Sequence, residues 1–430
     1  MKRKILLTAV LATWLVGSNA FASIARLAVL GTQPSFTAAN SSVATNVVNG
    51  SLWYDDSYNM FYNPSAIMDY KDYVTFQKGN STSGNGGGEA GWVSSVARSF
   101  AYGIYVNRGG SAAAAYGDTA RLVAPGINSA TNTAFAGTSA NALNTQRAID
   151  LLFGGDTGIK WGGKLTWAYN RNQSIATQAQ DDLEATTRYW HLALGAQVMG
   201  FEPFIGTTIS SKFHRNNTSD KTLQATDLVD DMNVGVRYKY EAWTPYVTYR
   251  KFRRAGDGVG VNDPETSSGS TQVQTSMNVL GLGVGHDMKI ADGVHLLKNV
   301  GVYYNSVVDT AGATYTNRDY KDYVLPVNFA IEADAASWLT LRAGAEYHLW
   351  NERKFASNGT NSTTNATAAK DKKTSQAGIS SVRIGSTFKF GKLHIDSAFG
   401  NGATTNQTDQ TQAIGFDANT FAFVSASYNW

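Results

Sequence analysis

The last ten residues of the chain alternate between apolar and polar side chains. The even positions Ala422, Val424, Ala426, Tyr428 and Trp430 are apolar, whereas the odd positions become polar towards the end. Successive side chains of a β-strand point to opposite faces of its sheet. This segment therefore predicts a strand with one face suited to an apolar environment and the other suited to water.

An export signal lies at the other end of the chain. Residues 2–4 are Lys-Arg-Lys, residues 5–16 are apolar, and residues 20–22 read Ala-Phe-Ala. This order is typical of a secretory signal peptide. The apolar run is shorter than the roughly 20 residues that a membrane-spanning helix needs. We predict a signal peptide over residues 1–22 that is cleaved after Ala22.

Composition excludes several other classes of protein. The chain has 36 basic and 33 acidic residues, and the predicted signal carries three of the basic ones, which leaves 33 of each. Such a balance lacks the basic footprint expected of a nucleic-acid-binding protein. The chain has no cysteine, so it has neither disulfides nor a lipid-modified N-terminal cysteine.

Two-residue alternation recurs from about residue 158 onward. Residues 339–349 place Leu, Ala and Tyr on one face, and Thr, Arg, Glu and His on the other. The alternating stretches run about 10 to 14 residues, close to the length of a tilted membrane-spanning strand. Short connections alternate with long ones, as in a transmembrane β-barrel with short periplasmic turns and long external loops. The predicted long connections are roughly 109–145, 171–184, 214–228, 255–271, 309–320, 351–375 and 401–417.

The strand count follows from these stretches. About twelve strands lie after residue 158, two more are predicted at 99–107 and 147–153, and a hairpin at 71–78 and 89–97 completes the set. Bacterial single-chain barrels have an even number of strands. The predicted fold is therefore an all-β antiparallel transmembrane barrel of 14–16 strands, with sixteen as the best count, in the bacterial outer membrane.

The predicted barrel covers residues 71–430 and leaves residues 23–70 as a separate segment. This segment lacks strand alternation and contains Asp55-Asp56 and Asn63-Pro64. We predict that it either lies in the periplasm or plugs the lumen.

The end of the chain resembles the sorting signal of outer-membrane barrel proteins, in Val424, Ala426, Tyr428 and Trp430. The resemblance implies partnership with the outer-membrane barrel assembly machinery, and with outer-membrane lipid and lipopolysaccharide. Small residues on the lipid face leave a homotrimer open as an alternative.

A second resemblance concerns the N-terminal segment. Residues 61–65, Phe-Tyr-Asn-Pro-Ser, are similar to the Asn-Pro-Ala stretch of the long-chain fatty-acid transporter (FadL-like) family. In that family the stretch belongs to an N-terminal hatch inside a fourteen-strand barrel. The resemblance implies that Asn63 and Pro64 form a plug motif, although Ser65 replaces the alanine here.

A barrel of this size is wide enough for an aqueous lumen. Charged residues that line a pore set its selectivity, and the predicted lining is mostly basic, which favours a mild preference for anions. The alternative is that these charges pair across strands and hydrate the wall. The predicted pore-lining residues are Lys160, Lys164, Lys212, Arg237, Lys239, Arg250, Glu332, Arg342, Glu346, Arg383 and Lys389.

Catalysis and cofactor binding have little support in the sequence. Glu346 with His348, and His394 with Asp396, could each orient an imidazole for base catalysis. The six histidines show no metal-ligand spacing, and the glycine-rich loop 255–263 lacks the closing Glu of a calcium loop. We expect no enzyme activity, no catalytic residues, no metal and no cofactor.

The predicted function is that of a porin-like channel for passive diffusion of small hydrophilic solutes. One alternative is a FadL-like transporter of hydrophobic compounds, with residues 23–70 as its hatch. Another is a structural or adhesive surface protein that acts through its long loops.

Overall fold

The computed structural model describes fourteen parts of the chain. They are residues 23–32, 50–79, 88–97, 99–106, 108, 147–174, 183–217, 223–226, 229–255, 274–310, 317–358, 372–375, 380–401 and 420–430. The predicted loop 109–145 lies outside these residues, and so do the predicted loops 255–271 and 401–417 apart from Ala255 and Asn401, which are strand residues.

In the described parts of the chain, eighteen strands follow a short N-terminal helical region. The helix α1 covers Ile24–Leu30, and two 3-10 helices cover Ser57–Phe61 and Pro64–Met68. The strands are β1 Tyr73–Gly79, β2 Gly88–Ala97, β3 Phe100–Val106, β4 Arg147–Asp156, β5 Lys160–Ser174, β6 Leu183–Gln197, β7 Phe201–Asn217, β8 Leu223–Thr226, β9 Val229–Tyr238, β10 Trp243–Ala255, β11 Gln274–Ala291, β12 Val294–Thr310, β13 Asn317–Ala336, β14 Leu339–Asn358, β15 Lys372–Ser375, β16 Ser380–Phe390, β17 Leu393–Asn401 and β18 Thr420–Asn429.

The strands form one closed antiparallel barrel. The four-residue strands β8 and β15 pair only with the outer parts of β7 and β14, while β7 pairs directly with β9 and β14 with β16. The wall therefore has sixteen strands. β1 pairs with β18, from Tyr73 opposite Asn429 to Gly79 opposite Phe423, and this pairing closes the ring. The predicted antiparallel barrel of sixteen strands is confirmed.

The two faces of the wall differ in polarity as the alternation predicts. Leu341, Phe388 and Val424 are 47%, 37% and 52% exposed on the outer face, whereas their neighbours Arg342, Thr387 and Ser425 are buried on the inner face. An apolar outer belt and a polar inner wall are the arrangement that a lipid bilayer requires of a barrel. Among the described residues, no helix has both the length and the hydrophobicity to cross a membrane.

Several strands extend beyond their predicted ends. β14 continues to Asn358, although residues 351–375 were predicted as a loop, and it pairs with β13 over this extension. Polar residues satisfy backbone pairing as well as apolar ones do, so a ladder can continue where apolar alternation stops. The alternation locates the part of a strand that faces lipid rather than the whole strand.

Candidate functional site

The N-terminal helical region packs against inner-face residues of the barrel wall. Ser23 begins α1, and its side chain accepts a hydrogen bond from the Arg26 backbone N–H. Asp56 and Asn63 cap the two 3-10 helices in the same way. The three helices are buried and contact inner-face residues on strands all around the ring, including β1, β5, β9 and β13. We call residues 23–32 and 50–70 the inner segment.

Arg26 connects the inner segment to the wall. Its Nη1 lies 3.0 Å from Asp56 Oδ2, and its Nε lies 2.9 Å from Glu332 Oε2 on β13. Glu332 also pairs with Arg342 on β14, and Arg342 contacts Asp396 on β17 at 3.3 Å. This ionic network is nearly all buried, so removing one member would leave another charge without a partner.

Two further sets of polar contacts fix the inner segment near the short turns that join β9 to β10 and β4 to β5. Asp55 Oδ1 lies 2.8 Å from Nη2 of Arg237, which is on β9, and 2.8 Å from Nζ of Lys239, which follows the last residue of that strand. Asp69 pairs with Lys160 on β5 and accepts a hydrogen bond of 2.9 Å from Gln197 on β6. The anchors therefore lie on well-separated parts of the wall.

The Asn63-Pro64 stretch contacts the wall through its backbone and through the Asn63 amide. Asn63 Nδ2 donates to the Ala196 carbonyl at 3.3 Å, and its Oδ1 accepts from Ser65 Oγ at 2.6 Å. Gly162 on β5 faces the Pro64 carbonyl so closely that a Cβ at this position would overlap it. The role of Asn63 and Pro64 as a plug motif, which the FadL-like resemblance implies, stays a prediction.

Aromatic side chains occupy much of the remaining contact. Tyr58 donates a hydrogen bond of 2.6 Å to Glu89 on β2. Phe61 packs edge-on against Tyr105 and lies under the Arg108 guanidinium, whose carbon is 4.0 Å from the ring centroid. Arg108 in turn pairs with Asp150 at 2.6 Å. Cation–π and ion-pair contacts thus hold this side of the inner segment.

Asp56 is the inner-segment group whose titration is most informative. Burial raises the pKa of Asp56 to about 6, and the neighbouring Arg26 guanidinium and the Tyr58 backbone N–H oppose this rise. The packed segment therefore favours the neutral form of Asp56 over the charged form more strongly than water does.

Ten of the eleven predicted pore-lining residues lie on the inner face. They are Lys160, Lys164, Arg237, Lys239, Arg250, Glu332, Arg342, Glu346, Arg383 and Lys389. Most pair with carboxylates, for example Arg250 with Asp231 at 2.8 Å and Lys389 with Asp334 at 2.7 Å. This pairing is the alternative considered from the sequence. A role of these residues in lining an open pore stays a prediction.

The assignment of Lys212 to the inner face is wrong. In β7 the pairing with β6 shifts by one residue, so that Trp190 faces Ser210 and His191 faces Thr208. This bulge at Ile209 moves every later residue of the strand to the opposite face. Lys212 is consequently exposed, while Ser211 is buried.

The carboxylate–histidine pairs belong to the wall. His348 Nε2 lies 2.9 Å from Glu346 Oε1, and Arg383 binds the other oxygen of the same carboxylate at 2.9 Å. Ser381 is opposite Glu346 across the strands. Its hydroxyl makes no hydrogen bond to any described residue, His348 included, so these residues form no nucleophile–base pair.

The terminal strand presents its predicted sorting residues outward. Val424, Tyr428 and Trp430 are exposed, and Ala426 is half-buried. Their recognition by assembly machinery stays a prediction.

Sequence reasoning missed the residues that hold the inner segment. Arg26 is paired with Glu332, 306 positions later, and no local pattern reports such a contact. Two acidic residues in succession, Asp55-Asp56, were the only signal of a polar anchor in this region.

A closed sixteen-stranded barrel with an apolar outer face and a polar inner face defines an outer-membrane β-barrel protein. No protein-family model matches the chain, and no curated protein does. Solved structures of other barrels do match. The outer-membrane protein OmpT of Vibrio cholerae matches 84% of this chain and 97% of its own, at 11% identity and a TM-score of 0.34.

Two further solved structures match at similar levels. The toluene transporter TodX of Pseudomonas putida covers 89% of this chain and 96% of its own, at 11% identity and a TM-score of 0.35. BamA of Haemophilus ducreyi covers 83% and 70%, at 9% identity and a TM-score of 0.39. At these identities and scores the comparisons assign no substrate and no activity to this chain.

Proposed function

We propose that the protein is a porin-like channel for diffusion of small hydrophilic solutes across the outer membrane, and that the inner segment is its plug. The inner wall carries the proposal, because charged and polar side chains face inward on strands all around the ring. Barrels of sixteen to eighteen strands leave room for an aqueous channel. A lumen lined with hydrated groups favours hydrophilic solutes over hydrophobic ones.

The plug is held by noncovalent contacts, which can break without a covalent bond being cleaved. The chain has no cysteine, and the anchors of the inner segment are ion pairs, hydrogen bonds and aromatic contacts. Movement of the segment would open a continuous path along the polar wall. The predicted domain division, with residues 23–70 separate from the barrel at 71–430, fits this role.

A reversible cross-link tests the channel and its plug together. Asp69→Cys with Lys160→Cys joins the inner segment to β5 in a chain free of other thiols. A bifunctional methanethiosulfonate should reduce the size or frequency of conductance steps in planar bilayers, and a reductant should restore them. Each single-cysteine variant serves as the control. A wild-type protein that gives no conductance steps under any voltage would end the proposal.

Selectivity is tested in the same bilayers. If the basic residues of the wall dominate, reversal potentials in a salt gradient should show a mild preference for anions. Because most of these residues are paired with carboxylates, we expect the preference to be small. Cation selectivity would contradict it.

A second candidate function is transport of hydrophobic compounds, which an apolar patch of the inner wall favours. Phe252, Met277 and Val307 are register neighbours on β10, β11 and β12, and all three are buried. Met277→Asp would place a charge in this patch. It should abolish uptake of a small aromatic hydrocarbon if this function holds, and leave the conductance steps of a hydrophilic channel in place.

We further propose outer-membrane lipid, lipopolysaccharide and the barrel assembly machinery as partners. Trp430→Ser should lower the yield of assembled barrel in cells and leave refolding into detergent micelles unchanged. Equal yields in cells would contradict the proposed sorting role. A homotrimer remains a proposal that the mass of the purified protein in micelles tests.

A further inference from the structure

Two basic side chains lie side by side on the outer face of the wall, at the ends of β6 and β7 opposite the short turn that joins them. Arg188 on β6 and Lys212 on β7 are register partners, and both side chains are exposed. We call these two residues the basic pair. Like charges directly opposite each other in a sheet destabilise it, so this arrangement favours the binding of an anion between them.

The bulge in β7 creates the basic pair. After the extra residue at Ile209, Lys212 lies opposite Arg188, whereas a regular ladder would place Ser211 there. Bulges re-aim side chains, and they are frequent beside functional sites. The irregularity that turns Lys212 away from the lumen thus brings two cations together on the outer face.

The described residues next to the basic pair carry no carboxylate. The pair lies between Tyr169 of β5 and Thr226 of β8 in the register, and Trp190 and Ser210 precede it on the two strands. In the described parts of the chain, neither member of the pair forms an ion pair or a side-chain hydrogen bond. An anion from the surroundings of the barrel fits this position.

Two other groups of exposed lysines differ in this respect. Lys321 and Lys354 are also register partners, but Lys354 Nζ lies 3.4 Å from Glu352 Oε1. Lys289 pairs with Asp292 at 2.8 Å. A carboxylate already offsets the positive charge in both groups, so we expect the basic pair to attract an anion more strongly than either does.

Aromatic rings place the basic pair at the edge of the apolar belt. Trp167 and Trp190 have ring centroids 6.3 Å apart, and Trp167 stacks on Tyr169, the register partner of Arg188. The stretch of β5 from Trp161 to Tyr169 covers about 26 Å of strand, which is about 20 Å across the membrane for a strand tilted by about 40°. The apolar belt of such barrels is about 25 Å tall. The cluster therefore lies where acyl chains meet headgroups, as amphipathic rings do in other membrane proteins.

The basic pair lies away from the short turns, and this end of an outer-membrane barrel is the external one. The lipid of the external leaflet is lipopolysaccharide, which carries phosphate groups on an acylated sugar headgroup. We propose that the basic pair binds a headgroup phosphate of lipopolysaccharide, with the acyl chains against Trp167 and Trp190. The guanidinium of Arg188 matches a phosphate with two parallel donors, and Lys212 adds a compact charge beside it.

This inference rests on the proposed partnership with lipopolysaccharide and names the site for it. It is independent of conductance, because the basic pair is on the outer face of the wall.

Titration with a defined lipid tests the site. The full-length protein is folded in zwitterionic micelles and titrated with bis-phosphorylated lipid A, and mass spectrometry of the intact complexes counts the bound lipid. We expect this lipid to bind more tightly than phosphatidylglycerol or lipid A without phosphates. Arg188→Gln and Lys212→Gln should each weaken binding about five- to tenfold, as expected when one cation at a charged lipid surface is lost.

Lys298→Gln is the matched control. Lys298 faces outward beside the exposed Phe329, near the short turn that precedes β12. Its substitution removes an outer-face cation at the opposite edge of the belt and should leave the binding of lipid A unchanged. Migration as a folded species in cold detergent shows that each variant is an intact barrel.

Lys212→Glu separates binding from a structural role. It places a carboxylate opposite Arg188, so it should abolish the tight binding of lipid A. The barrel without lipid should resist heat in micelles at least as well as the wild type does, because a repulsive pair becomes an attractive one. Lower heat resistance would mean that the basic pair serves the wall itself, and would overturn the inference.

The remaining outcomes separate this site from the proposed function. Equal binding of lipid A by the wild type and both Gln variants overturns the basic pair and leaves the partnership with lipopolysaccharide standing. No binding to the wild type overturns both. Equally tight binding of phosphatidylglycerol overturns the assignment to lipopolysaccharide. Tight binding by a protein that gives no conductance steps overturns the channel function and supports the basic pair.

Discussion

Arg26 joins three parts of the molecule that are far apart in sequence: α1, Asp56 and the wall residue Glu332. Arg26→Met should leave Asp56 buried without its cation, while Glu332 keeps Arg342 as its partner. We expect a cost of about 3 kcal/mol to packing of the inner segment. Ala28→Cys, which replaces a fully buried residue, reports on this packing through its reaction with a maleimide. We expect labelling to become roughly a hundredfold faster in the Arg26→Met background.

A matched substitution on the surface separates this effect from simple loss of charge. Lys289 and Asp292 form an ion pair of 2.8 Å at an exposed turn, and exposed pairs contribute little. Lys289→Met should leave the labelling rate unchanged. If Arg26→Met also leaves it unchanged, the ionic network does not hold the segment.

Asp56 makes packing of the inner segment dependent on pH. Since burial raises its pKa to about 6, above the value of about 4 expected when unfolded, packing takes up a proton between these values. The contribution of Asp56 to stability is therefore greatest at low pH and is lost as the pH rises through about 6. Labelling of Ala28→Cys, corrected for thiol ionisation, should be slower at pH 5 than at pH 7.

Asp56→Asn keeps a side-chain oxygen that can cap the 3-10 helix and removes the titrating group. In this variant the difference in corrected labelling rate between pH 5 and pH 7 should become smaller. A difference as large as that of the parent would assign the pH dependence to another group.

At the scale of elements, docking of α1 depends on a wall position without a side chain. The Val29 carbonyl approaches Gly344 on β14 so closely that any Cβ there would overlap it. Gly344→Val should therefore displace α1 and increase the conductance of the channel, while the barrel remains folded because β14 pairing is unaffected. Single-channel recording measures this increase.

Gly88→Val provides the matched control on β2. A Cβ at Gly88 would meet only the Gln77 carbonyl, at an ordinary contact distance of 3.6 Å. The conductance of the Gly88→Val variant should equal that of the wild type. Equal conductance for Gly344→Val would show that close docking of α1 does not restrict the channel.

The elements could be predicted from the sequence better than their contacts. Alternation is a local property, so it gave the sixteen wall strands and the inward direction of Arg342 and Glu346. It failed at Lys212, because a single bulged residue reverses the phase of a strand and leaves no local mark in the sequence. The alignment of Asn299, Asn328, Glu346 and Ser381 was beyond reach for a different reason, since it depends on the relative register of four strands.

The location of residues 23–70 was also beyond local reasoning. The sequence left a choice between the periplasm and the lumen, because a segment without strand periodicity carries no directional signal. The structure places the inner segment against the wall through pairs such as Arg237 with Asp55, and those depend on closure of the ring.

At the scale of the whole molecule, we expect the barrel and the inner segment to be separable. Among the described residues, no strand pair of the wall involves residues 24–32 or 50–70. Deleting these residues should give a barrel that still migrates as a folded species in cold detergent and conducts more than the full chain does. Loss of the folded species would show that the contents are required to form the wall, and unchanged conductance would show that they are not an obstruction.

Pairing of β1 with β18 also sets the order of events during biogenesis. β1 and β18 cannot pair until the final residues of the polypeptide are available for assembly. The assembling cylinder therefore stays open along one side until then. The inner segment lies ahead of β1 in the chain, so it is either enclosed when the seam between β1 and β18 closes or enters later through an open end of the cylinder. The time at which it folds relative to closure of the seam decides between these two routes.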